Sequence, residues 1–194
     1  MVSLRRLGLV VIVGVASLVP TLASAGEGRQ ERAFAPDQRV WMDLIAGDYT
    51  IEAGRDDRIV VRWTDRSENH VQVDVDVRGA DASIATRGSG DHNLRVVVEL
   101  PQRTAMTVRL SAGDLTIRGI GGSKDIHSWA GDVDIEVGRP DDYRSVEASV
   151  TAGDLDAAAF DVSKGGLFRS FSWHGPGKDD LVVRLTAGDL RLRR

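Results

Sequence analysis

Aspartate is the residue this chain places most regularly, so carboxylate chemistry is the first to weigh. Five Ala-Gly-Asp triplets occur, ending at Asp48, Asp114, Asp132, Asp154 and Asp189, and each is followed by an apolar residue. Carboxylates brought into line could hold Ca²⁺ through oxygen ligands. Other acidic residues come in pairs: Asp56-Asp57, Asp74 with Asp76, Asp132 with Asp134, Asp141-Asp142, Asp154 with Asp156, and Asp179-Asp180. Two carboxyls about 5 Å apart on one concave face are what a retaining glycosidase uses. Asp132 and Asp134 share a face if their strand is regular, which meets the loosest form of that requirement.

Plainer readings of the same residues are stronger. Acidic residues at i and i+2 are what the wet face of a strand looks like. A calcium roll needs a nine-residue Gly-Gly-x-Gly-x-Asp repeat, and this chain has neither that spacing nor the paired glycines. In Ala-Gly-Asp, glycine can take the positive φ of a sharp bend and aspartate can cap nearby backbone amides. The triplets therefore read as corners, with no metal ligand and no cofactor site assigned. His70, His92, His127 and His174 fall in four separate segments without metal-ligand spacing. His127 and Ser128 are neighbours in a strand pattern, so they point to opposite faces and cannot share a proton. No GxSxG, phosphate loop or dinucleotide fingerprint occurs, and no catalytic residue is named. Trp41, Trp63, Trp129 and Trp173 could stack on a sugar or partner, although such residues more often fill or seal a core. Trp129 occupies the slot before Ala-Gly-Asp that holds Ser111, Thr151 and Thr186 in other copies. It is expected to tuck beneath the aromatic segment 168–173.

The elements positioning these residues are strands. Val71, Val73, Val75 and Val77 alternate with polar residues, and 59–63 and 94–100 are further strands bounded by turn residues. Successive triplet aspartates lie 18, 22 and 35 residues apart from Asp114 to Asp189. The first two gaps fit single turns of a β-solenoid. The last accommodates an excursion, Leu167 to Trp173 between two glycine turns, read as a cap over the end of the stack. The expected fold is all-β: a short single-stranded β-solenoid, β-helix-like, with N-terminal strands forming its first layers. Gly47-Asp48 is assigned to those lead-in layers rather than to the stack. Arg191, Arg193 and Arg194 would guard an exposed last edge.

Residues 1–25 read as a signal peptide: Arg5-Arg6, an apolar run from Leu7 to Val19, and Ala23-Ser24-Ala25 as a cleavage pattern. The apolar run is short of the ~20 residues that span a bilayer. Residues 26–39 read as a flexible lead-in and 40–194 as one domain. Losing Arg5 and Arg6 takes the formal charge from −4 to −6, which argues against nucleic acid as a partner. Cysteine is absent, so packing and backbone pairing alone must hold an exported chain.

Leu100-Pro101, Thr107-Val108-Arg109-Leu110, Ser111-Ala112-Gly113-Asp114-Leu115-Thr116-Ile117, Arg118-Gly119-Ile120-Gly121-Gly122 and the return to Trp129-Ala130-Gly131-Asp132-Val133 together resemble the bacterial "putative adhesin" family of unknown function (the DUF4097 type). The resemblance covers residues 40–194 and implies a β-strand-repeat solenoid on an exported protein, with no catalytic residue to carry over. The expected function is a non-enzymatic scaffold, adhesion-type or protein-interaction module of the cell envelope, periplasmic or at the cell surface. Its partner would be an envelope protein or glycan, with no membrane insertion after signal cleavage, and the protein a monomer or weak dimer. The alternatives are a polysaccharide-acting enzyme on a β-helix and a ligand- or metal-sensing module.

Overall fold

A computed structural model of the chain describes residues 26–66, 71–88 and 93–194; the signal-peptide reading of 1–25, His70 and His92 lie outside them. In chain order the strands begin with β1 (Glu27–Ala33), β2 (Gln38–Leu44), β3 (Asp48–Ala53), β4 (Arg58–Asp65), β5 (Gln72–Arg78) and β6 (Asp81–Arg87). Next come β7 (Leu94–Leu100), β8 (Thr104–Leu110), β9 (Leu115–Arg118), β10 (Lys124–Ala130), β11 (Val133–Glu136) and β12 (Tyr143–Ala152). The last five are β13 (Leu155–Ala157), β14 (Val162–Lys164), β15 (Leu167–His174), β16 (Asp179–Ala187) and β17 (Leu190–Arg193). Among the described residues the only helical elements are two three-residue 3-10 turns, at Pro140–Asp142 and Ala158–Phe160. The protein is all-β.

Six pairs of consecutive strands build the body: β2–β3, β6–β7, β8–β9, β10–β11, β12–β13 and β16–β17. Each sends its first strand into an eight-stranded sheet and its second into a nine-stranded one. Neighbouring pairs run parallel in both sheets. Alternation fixes the inside: Val40, Met42 and Leu44 on β2, Val108 and Leu110 on β8, and Ile117, Ile135 and Leu192 on the facing sheet are all buried in one core. Each such side chain contributes about 1.5–3 kcal/mol by leaving water.

The expected solenoid, wound in chain order, is not what the pairing shows. Both sheets stack the pairs as β6–β7, β2–β3, β8–β9, β10–β11, β16–β17, β12–β13. The first and last pairs of the chain are each slotted between two others. Gly47-Asp48 thus belongs to the stack and not to a lead-in layer, because β2 and β3 take parallel neighbours on both sides. Nor do Arg191 and Arg193 guard an edge. β17 is interior, between β11 and β13, and Arg193 donates to Asp134 of β11 at 2.6 Å.

Antiparallel strands close both ends of the stack. β5 lies on β6, while β4 and then β1 lie outside β7. The segment expected as a flexible lead-in therefore carries an edge strand, and Phe34 behind it is buried in the core. At the other end β15 covers β12 and β14 covers β13. There the Phe160 ring lies 5.4 Å from Phe171 and 5.2 Å from Trp173, all three partly buried against the core.

Candidate functional site

The five triplets form one column. Gly47 N–H donates to Ala112 O, Gly113 to Ala130, Gly131 to Ala187 and Gly188 to Ala152, at 2.9–3.1 Å. The corners are thus hydrogen-bonded to one another as continuously as the strands they join. Glycine is required by close approach as well as by its positive φ: a Cβ on Gly131 would stand 2.1 Å from Gly113 O, and one on Gly188 2.2 Å from Gly131 O. No side chain fits there.

Three of the aspartates, Asp114, Asp132 and Asp189, reach to the next coil rather than capping their own turns as the sequence suggests. Asp132 N–H donates to Asp114 Oδ1 at 3.1 Å, Asp189 N–H to Asp132 Oδ1 at 2.9 Å, and Asp154 N–H to Asp189 Oδ1 at 3.0 Å. Carboxylates one strand spacing apart, about 4.8 Å, repel unless countered. Arg191 supplies the counter-charge, 3.3 Å from Asp132 and 3.2 Å from Asp189. These oxygens are spent on amides and guanidinium. Among the described residues no three His, Cys, Asp or Glu side chains gather as a metal would need.

Nor do the acidic pairs converge. Asp132 and Asp134 are each matched with an arginine of β17, Asp74 with Arg87, Asp57 with Arg58, Asp142 with Arg139, and Asp180 with Arg144. Arginine beside it draws the Asp57 carboxyl down to about 2, and a hydrogen bond from Ser145 followed by Arg144 lowers that of Asp180. His127 points outward while Ser128 is buried.

The outer face of the eight-stranded sheet gathers side chains the sequence left scattered. Trp129 is 70% exposed and Trp41 44% exposed. Trp129 is therefore not tucked beneath the 168–173 segment, which covers β12 and not β10. Its slot faces outward, as the Ser and Thr of the sister copies imply. Arg109 lies over Trp41 at 5.1 Å from the ring centroid, within cation–π range. Across neighbouring strands Arg109, His127 and Arg184 share one register. Arg184 donates to His127 Nε2 at 3.1 Å, and Asp125 Oδ1 lies 3.1 Å from the same nitrogen. Arg109, His127 and Arg184, with Asp43, Trp129 and Thr186, line an open depression of about 680 Å³.

Sequence reasoning passed over Lys124. It is 2% exposed, in register with buried Met106 and Leu181, and donates to Gly122 O at 3.0 Å and Tyr143 Oη at 3.2 Å. Burial pushes its pKa down to about 8, against the pull of Asp179. The available signal was its place, two residues before Ile126 on the inward-facing side of β10.

No family model matches the chain, and no curated protein matches it. Solved structures do. A putative cell adhesion protein from Clostridium sporogenes is 15% identical, with 86% of this chain and 99% of that one covered and a TM-score of 0.50. A putative adhesin from Parabacteroides merdae is 11% identical over 58% of this chain and 52% of that one, with a TM-score of 0.34. The first is a likeness of fold.

Proposed function

We propose that this chain is an exported, non-enzymatic cell-envelope protein of adhesion type, a member of the bacterial putative adhesin family. In this reading the solenoid-like stack of corners is a rigid scaffold, and the outer face of the eight-stranded sheet is its working surface. One observation carries the reading: Trp41 and Arg39 on β2, Arg109 on β8, His127 and Trp129 on β10 and Arg184 on β16 all stand on the outward side of adjacent strands. Leaving large aromatic rings in water forgoes a sizeable burial energy that a partner can recover. The fold shared with the Clostridium protein supports the assignment.

Binding of the purified protein to isolated bacterial envelopes tests it. Retention that falls at least fivefold in Trp129→Ala, with an unchanged melting temperature, is the expected result. Equal retention of both proteins would remove this face from the function.

A further inference from the structure

We propose that the face between β2 and β16 binds an acidic polysaccharide laid across the strands, with uronic-acid carboxylates on alternate sugars. This rests on the adhesion reading above and supplies its ligand.

Register is the first argument. Arg109, His127 and Arg184 stand in one row on β8, β10 and β16, so successive groups are about 4.8 Å apart. An extended pyranose chain advances by a similar distance per sugar. Each step from strand to strand then meets the next sugar, and the two arginines, two strands apart, meet every second one. Planar guanidinium groups pair bidentately with carboxylates.

Charge agrees with this. Arg39, Arg109 and Arg184 face Asp43 and Asp125 on these strands, and the third acid there, Asp180, is held by Arg144 of β12. Asp125 is engaged within the row, 3.7 Å from Arg184. Arg109 makes no ion pair within 4 Å among the described residues, although Asp43 is its register partner. It lies over Trp41 instead, which leaves the edge donors of its guanidinium directed to solvent.

Shape selects a polymer over a small molecule. Small-ligand sites are concave and bury most of their ligand, whereas this depression is open, and Trp41 stands two residues along β2 from its Asp43 wall. Trp41 itself lines a second hollow of about 400 Å³, with Arg39, Arg78, Asp76 and Asp81. Trp129, two residues along β10 from His127, offers a ring face beside the row on which a pyranose can stack.

The test is isothermal titration of the full chain with three probes: hyaluronan oligosaccharides, which alternate a uronic acid with a neutral sugar; their carboxyl-reduced form; and poly-glutamate of matched charge. Hyaluronan should bind, carboxyl reduction should weaken it at least tenfold, and Arg109→Ala and Trp129→Ala should each do the same. Both residues are exposed, so unchanged melting curves will show that the variants fold. Equal affinity for the reduced polymer overturns the role of acidity. Poly-glutamate binding as tightly as hyaluronan overturns the glycan in favour of an acidic protein. No binding to any probe overturns the proposal outright. If Trp129-dependent envelope retention persists in that last case, the adhesion reading stands without this ligand; if retention is lost too, both fall.

Discussion

Replacing Lys124 by methionine isolates the cost of keeping a lysine inside a β core. The folded amine has its pKa at about 8 against 10.5 for the unfolded residue. Below pH 8 both states are protonated, and the folded state bears the whole desolvation penalty. Between pH 8 and 10.5 the unfolded chain holds the extra proton, so stability rises with pH. At about 1.4 kcal/mol per pH unit the full recovery is about 3 kcal/mol, of which about 2.5 kcal/mol accrues between pH 7 and 10. Tyr49 and Tyr143 act in the opposite sense. Burial pushes Tyr49 up to about 12 and raises Tyr143 as well. Unfolded tyrosines ionise near pH 10, so stability falls beyond that point. Wild type should therefore be most stable between about pH 9 and 10. In Lys124→Met the rising limb disappears and the falling one remains. At pH 7 the variant sheds the charge penalty but leaves Gly122 O and Tyr143 Oη without a donor, a loss of about 1–3 kcal/mol, so a single-pH comparison decides nothing. Urea unfolding at pH 7, 8, 9 and 10 gives the difference directly. Parallel profiles for the two proteins would refute the reasoning.

Gly131→Ala should cost at least about 3 kcal/mol, since its Cβ would meet a neighbouring backbone carbonyl at a φ of +107°. Gly79→Ala, at positive φ with nothing within 4 Å, should cost only about 1 kcal/mol; similar thermal shifts for the two would deny that the column is tightly packed. Asp132→Ala removes the acceptor for Asp189 N–H and should cost about 1–2 kcal/mol, whereas Asp132→Asn keeps an acceptor and should cost less than about half of that, as chemical unfolding will show. Added Ca²⁺ should leave the melting temperature of wild type unchanged, because a native-state ligand must raise it. On the proposed export, mass spectrometry of the protein produced in a bacterial host should find Gly26 at its N-terminus.

Strand character, the corner role of Ala-Gly-Asp and the opposed faces of His127 and Ser128 were legible because each depends on local spacing. The order of the stack was not. Every corner presents the same amides and carbonyls, so a coil such as β16–β17 matches β11 as well as it matches β13, and nothing in its sequence names its neighbours. The exposure of Trp129 could have been read from Ser111, Thr151 and Thr186 in the sister slots, which are polar because they face water; the pull of aromatic residues toward a core argued the other way. Lys124 was hidden by its type, since an inward lysine is found by register with Met106 and Leu181 and not by composition.

The slotting of β16–β17 between β10–β11 and β12–β13 bears on the timing of folding. A chain shortened before Asp179 would present β10 and β12 as two open parallel edges in one sheet, and β11 and β13 as two more in the other. The native stack cannot close until β16 and β17 are available, so a nascent chain emerging N-terminus first stays unfinished until both have been made. On the proposed export, in which the polypeptide is threaded through a membrane channel before it folds, that delay protects the unfolded state needed for passage, and it leaves a product truncated before Asp179 conspicuous to proteases.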